Sequence, residues 1–119
     1  MKQESLEEKV ERLEMYIDLL RQIAIDADEY CLWDWVISRG LSVDQFNNLK
    51  QILKHHVQVL MHAEKEENVK IPTFAELSAK LINILHTEDR PADTKTVMDV
   101  LKRAIKMPAY SRLQHYLSE

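Results

Sequence analysis

Residues 6–27, LEEKVERLEMYIDLLRQIAIDA, decide how this chain is read. Apolar residues fall at Leu6, Val10, Leu13, Ile17, Leu20, Ala24 and Ala27, spaced 4, 3, 4, 3, 4, 3, which makes three unbroken heptads. A second apolar row, Tyr16, Leu19 and Ile23, runs beside the first. The pattern predicts an amphipathic helix whose wide apolar face needs a partner. That partner is either the rest of the chain or a second copy of it.

Working outward, the helix is expected from about Glu4 to about Asp28. Glu4, Glu7 and Glu8 in its opening turn complement the helix dipole. At the cluster Asp26, Asp28, Glu29 it either bends or gives way to a new helix. A second helical piece, about Glu29 to Ser38, carries Tyr30, Leu32, Trp33, Trp35, Val36 and Ile37 and is expected to be the most buried segment. The turn SRGLS follows. Gly40 suits the left-handed residue that ends a helix, Ser42 and Gln45 form a capping box, and Leu41 and Phe46 take the places of a hydrophobic staple. A third helix is expected from Val43 to about Glu67, with Phe46, Leu49, Leu53, His56, Leu60 and Ala63 as its stripe. Ile71-Pro72 is extended, because a residue before proline avoids the helical region. Thr73 and Glu76 cap a fourth helix to about His86. After the polar loop TEDRPAD, Asp93 or Thr94 caps a fifth helix to about Lys106. Met107-Pro108 interrupts it before a short last helix, roughly Ala109 to Leu117. The fold class is therefore all-α: a single multihelical domain over residues 1–119, with five or six helices and a long N-terminal amphipathic helix.

Composition excludes several function classes. The net charge of −4 opposes non-specific binding to nucleic acid or an anionic membrane, which needs a positive field. The charge is unevenly placed. Residues 1–34 carry 4 Lys/Arg and 10 Asp/Glu, whereas residues 94–119 carry 5 and 2, so an acidic start and a basic end can attract each other. Cys31 is the single cysteine, which precludes an intrachain disulfide and suits a reducing cytoplasm. No apolar run is long enough to span a membrane. Gly40 is the single glycine, so phosphate loops and dinucleotide fingerprints, which need several, are not expected.

Three stretches, VERLEMYIDLL, VISRGLSVDQFNNLKQI and TFAELSAKLINIL, resemble in order the YhaI-like family, small all-helical proteins of unknown function from Bacillus and relatives. The resemblance covers about Val10 to Leu117. It implies a multihelical, oligomeric protein of bacterial origin with no established activity, and it transfers no catalytic residue. The HTEDRPAD loop departs from the family's pattern.

Few side chains suggest chemistry. His55, His62 and Glu66 share one helix stripe. His62 and Glu66, one turn apart, are the weak candidates for a metal, while His55 is roughly 10 Å further along. A solvated polar face is the simpler reading, and neither Glu-x-x-His nor His-Glu-x-x-His occurs. His56 lies in the apolar stripe and reads as a hydrogen-bonded core histidine. Cys31, among acidic neighbours, reads as a buried small hydrophobe. Trp33 and Trp35 diverge around their helix and are both covered only if that helix is packed on two sides. Val36 to Lys50 has the outline of a helix-turn-helix. Its exposed positions would include Ser42, Asp44, Gln45, Asn47 and Asn48, with Arg39 and Lys50 as the only cations, which is thin for phosphate binding. No serine lies in a nucleophile elbow.

The sequence thus predicts a cytoplasmic, homo-oligomeric interaction or structural module, with a dimer favoured and room for a further protein partner. No catalytic residue and no cofactor is expected, and neither nucleic acid nor membrane is expected as partner. The expected oligomer interface is Leu6, Val10, Leu13, Ile17, Leu20 and Ala24. A DNA-binding regulator through the RGLS turn and a small metal- or ligand-binding helical protein are the alternatives.

Overall fold

The first helix, α1, spans Leu6–Ile25 in a computed structural model that describes residues 4–118. Ser5 starts it: its hydroxyl accepts the Glu8 amide at 3.1 Å, and the Glu8 carboxylate accepts the Ser5 amide at 3.2 Å. This capping box satisfies two amides that a helix start leaves without partners. Asp26 ends the helix earlier than the heptads alone imply. Its carboxylate accepts the amides of Asp28 and Glu29 at 3.1 and 3.0 Å, a local turn that competes with helix continuation. A new helix, α2, then runs over Cys31–Arg39.

The RGLS turn forms as its residues dictate. Gly40 has φ +73°, a left-handed conformation that costs little without a Cβ. The Gly40 and Leu41 amides close back on Ile37 and Val36 carbonyls at 3.0 and 3.2 Å. Ser42 and Gln45 cap α3, Val43–Lys65, reciprocally at 3.1 and 2.9 Å. At the start of α4, Phe74–Leu85, Thr73 accepts the Glu76 amide, and only this hydroxyl half of the expected box is formed. Asp93 caps α5, Thr94–Ala104. Pro108 opens a 3₁₀ segment, Pro108–Leu113, that runs into the short α6, Gln114–Leu117. Among the described residues the fold is all-helical, with no strand.

The structure moves the organising role from α1 to α3. Phe46, Leu49, Leu53, His56, Val57 and Leu60 of α3 are buried, and α3 packs against α1, α4 and the 3₁₀ segment. Leu77, Leu81 and Leu85 of α4, Val97, Val100, Leu101 and Ala104 of α5, and Leu113 belong to the same core, together with Leu32, Trp33, Val36, Leu41 and Tyr116. α1 gives it only Tyr16 and Leu19, with Met15 and Ile23 half-buried beside them. The second apolar row packs inward and the heptad row does not. α2 is also not the most buried segment: Leu32, Trp33 and Val36 are covered, but Trp35 and Ile37 are half-buried and Asp34 is exposed.

Long-range polar contacts fix the helices. The Tyr16 hydroxyl donates to the Leu41 carbonyl at 2.8 Å, which ties α1 to the RGLS turn. The Trp33 indole N–H donates to Gln22 Oε1 at 3.0 Å. The acidic start and the basic end do meet within the chain: Lys106 reaches Asp28 at 2.7 Å, and Arg103 donates to the Cys31 carbonyl at 3.1 Å.

Candidate functional site

The heptad row lies on the free face of α1. Residues advance about 100° around a helix, so the row through Leu13, Ile17 and Leu20 stands roughly 100° away from Tyr16, Leu19 and Ile23. One row packs on α2 and α3, and the other meets solvent. Leu6, Val10, Leu13, Ile17 and Leu20 expose between 45% and 78% of their surface. Ala24 and Ala27 are exposed at the end of the row. Among the described residues, Met61 is the one exposed large apolar side chain away from α1. Scattered apolar exposure is ordinary, whereas a continuous row on one helix is not.

Charged residues flank this row. Glu7, Glu14 and Arg21 line one side, with Lys9 on the other. Arg12, on the packed side, forms a bidentate pair with Glu4 at 2.8 and 3.1 Å and lies over the Tyr16 ring. The Glu4 bond holds the guanidinium firmly charged and keeps the Glu4 carboxyl below its ordinary range. The first turns of α1 are thereby fixed to the residues that anchor the helix.

Between α1 and α3 runs an open groove of about 520 Å³. Glu11, Glu14 and Asp18 form its acidic wall, and Leu19, Trp33 and Phe46 form its floor. Trp33 and Phe46 meet edge to face at 5.4 Å, and the Lys50 ammonium lies 4.4 Å over the Phe46 ring. Sequence reading missed this groove because its residues come from three helices. The one local signal was the acidic row Glu11, Glu14, Asp18 beside the heptads.

In comparisons with known proteins, the chain is similar to the uncharacterized protein YqxJ of Bacillus subtilis. The two are 26% identical over 85 residues, covering 71% of this chain and 68% of that protein. No family model and no solved structure matches. The likeness is to an uncharacterised Bacillus protein, the kind of relative the sequence implied, and it does not confirm the YhaI-like assignment.

The remaining candidate residues are dispersed. His62 and Glu66 pair at 3.3 Å on an exposed face of α3, and no group of three His, Cys, Asp or Glu among the described residues converges as a metal site would require. His55 is exposed, against the edge of His56. His56 is a core histidine: fully buried, with Nδ1 2.8 Å from the Tyr116 hydroxyl and Nε2 3.2 Å from Lys80 Nζ. Cys31 is half-buried, its Sγ 3.9 Å from the Arg103 carbonyl. Its spatial neighbours therefore include the basic end of the chain, which the local acidic sequence does not reveal.

Of the helix-turn-helix residues, Arg39, Ser42, Gln45 and Lys50 are engaged within the fold, whereas Asp44, Asn47 and Asn48 are exposed. Arg39 donates to the Arg90 and Pro91 carbonyls at 3.0 and 3.1 Å and lies over Trp35. Lys50 covers Phe46. Ser42 and Gln45 cap each other, and Gln45 Nε2 also donates to the Ile84 carbonyl at 3.2 Å. No helix among the described residues is long and apolar enough to cross a membrane.

Proposed function

We propose that this protein is a homo-oligomeric interaction module that self-associates through the free face of α1. The observation behind this reading is the continuous exposed row Leu6, Val10, Leu13, Ile17 and Leu20 on a helix already anchored by its other face. A packed helix has been ordered before it meets a partner, so association does not carry the cost of folding it. The resemblance to the YhaI-like family, which implies an oligomer, supports the same reading. The protein works by binding rather than catalysis, in a reducing cytoplasm where Cys31 stays a thiol, and the assembled copies offer α2–α6 to a protein partner.

Light scattering of the eluting protein over a hundredfold dilution tests this. The wild type is expected as a dimer or larger, and Leu13→Glu as a folded monomer, because Leu13 takes no part in the core. A monomeric wild type at every concentration would overturn the proposal.

A further inference from the structure

We infer that α1 pairs with α1 of a second copy in parallel and in register, as a two-stranded coil. The inference rests on the self-association proposed above and adds its partner surface and orientation.

The spacing fixes the heptad register. A step of three leads from an a position to a d position, and a step of four leads back. Leu6, Leu13 and Leu20 therefore take d, and Val10, Ile17 and Ala24 take a. β-Branched Val10 and Ile17 at a with leucine at d form the combination that favours two parallel strands over three or four, and Ala24 takes the last a position at the end of the helix. Five such side chains in one row expose on the order of 500 Å², at the upper end of the largest patch usual on a monomer. Across a twofold axis that becomes about 1,000 Å², near the threshold of a specific interface before the flanking side chains are added.

The flanks choose the direction. Glu7, Glu14 and Arg21 occupy e; Lys9, Tyr16 and Ile23 occupy g. In a parallel pair, g meets the e position five residues on in the partner. Lys9 then faces the partner's Glu14, twice by symmetry, with no like charges opposed. An antiparallel pair would gain Glu7 against the partner's Arg21. It would also set two Glu14 carboxylates against each other at its midpoint and leave Lys9 opposite the partner's Ile23. Tyr16 and Ile23 face the protein's own α2–α6 body, so the partner helix lies beside that body. Glu14 also lines the groove between α1 and α3. The partner's Lys9 thus reaches the groove's acidic rim, and each groove is completed by the second copy.

Disulfide trapping in a Cys31→Ser background separates the possibilities. Val10→Cys alone is expected to form a covalent dimer under mild oxidation, because identical a positions come within disulfide reach in a parallel register. A mixture of Val10→Cys and Leu20→Cys chains is expected to give no mixed dimer. Mixed dimers alone would make the pair antiparallel, overturning this inference while leaving self-association intact. No cross-link in a protein that scatters as a dimer would also overturn it, and a monomeric wild type would remove both proposals. Charge exchange gives a second readout. Lys9→Glu is expected to weaken dimerisation about tenfold at low salt, and Lys9→Glu with Glu14→Lys to restore it. In the antiparallel arrangement the double exchange restores nothing, since the exchanged side chains at position 14 of the two copies would still oppose each other with like charge.

Discussion

His56 and Tyr116, sixty residues apart in the chain, meet at 2.8 Å through Nδ1 and the phenol oxygen beneath the C-terminal turn. The Lys80 ammonium can only donate, so Nε2 of His56 is the acceptor at 3.2 Å and Nδ1 carries the proton given to Tyr116. The histidine is thus held neutral in one tautomer. Burial, the Lys80 charge and the neighbouring His55 push its pKa down from 6.5 to about 4.

The unfolded chain takes up the His56 proton near pH 6.5, and the folded chain resists until about pH 4. This contribution to stability is fully present above pH 6.5 and is lost as pH falls from there towards 4. Its upper bound is on the order of 3 kcal/mol. Urea unfolding at pH 7 and pH 4.5 checks it. The wild type should lose stability between the two. His56→Gln, weaker at pH 7, should lose less of what it has.

Two leucines separate the faces of the molecule. Leu49 on α3 is fully buried, and Leu49→Ala should cost roughly 2–5 kcal/mol through lost burial and the cavity left behind. Leu20→Ala, on the free face of α1, should change the unfolding free energy of a dilute monomer by less than about 0.5 kcal/mol. Chemical unfolding at a concentration below association measures both. A large loss for Leu20→Ala under those conditions would place the row in a core.

Gly40 tests the turn between α2 and α3. A Cβ there meets nothing within 4 Å, so the strain of Gly40→Ala comes from φ +73° alone. The expected cost is about 1 kcal/mol, with no change in helix content by circular dichroism. A neutral result would mean that the backbone relaxes out of the left-handed region.

The α1 cap links sequence to the proposed interface. Ser5→Ala removes the acceptor for the Glu8 amide and should fray the first turn at a cost of about 1 kcal/mol. Leu6 sits in that turn, so dimer dissociation should also become faster. Hydrogen exchange at Glu8 and Lys9 in the monomeric Leu13→Glu background isolates the local effect.

Local chemistry wrote the helix boundaries plainly. Gly40, Ser42 with Gln45, Thr73, Asp93 and Pro108 act within a few residues of themselves, and the helices start or stop where those residues require. The Ser5–Glu8 box is equally local, but in the sequence Glu4, Glu7 and Glu8 read as dipole charges. The sequence marks the Asp26 cluster as a bend or a new start, but the heptads run on past it, and the carboxylate's bonds to two following amides decide for a stop.

Sequence by itself determined an all-helical chain, the positions of its caps and the two apolar rows of the first helix, because periodicity and capping are set by neighbours three and four residues away. Tertiary structure alone decided which row of α1 is spent on the core. Both rows are apolar enough to be buried. The choice falls to contacts made from far along the chain: Leu41 accepting from Tyr16, Trp33 donating to Gln22, and α3 filling the space beneath Leu19. Those contacts turn Leu13, Ile17 and Leu20 to solvent. The same long-range closure brings Trp33, Phe46 and Glu14 to one groove and His56 to Tyr116, pairings that no local pattern encodes.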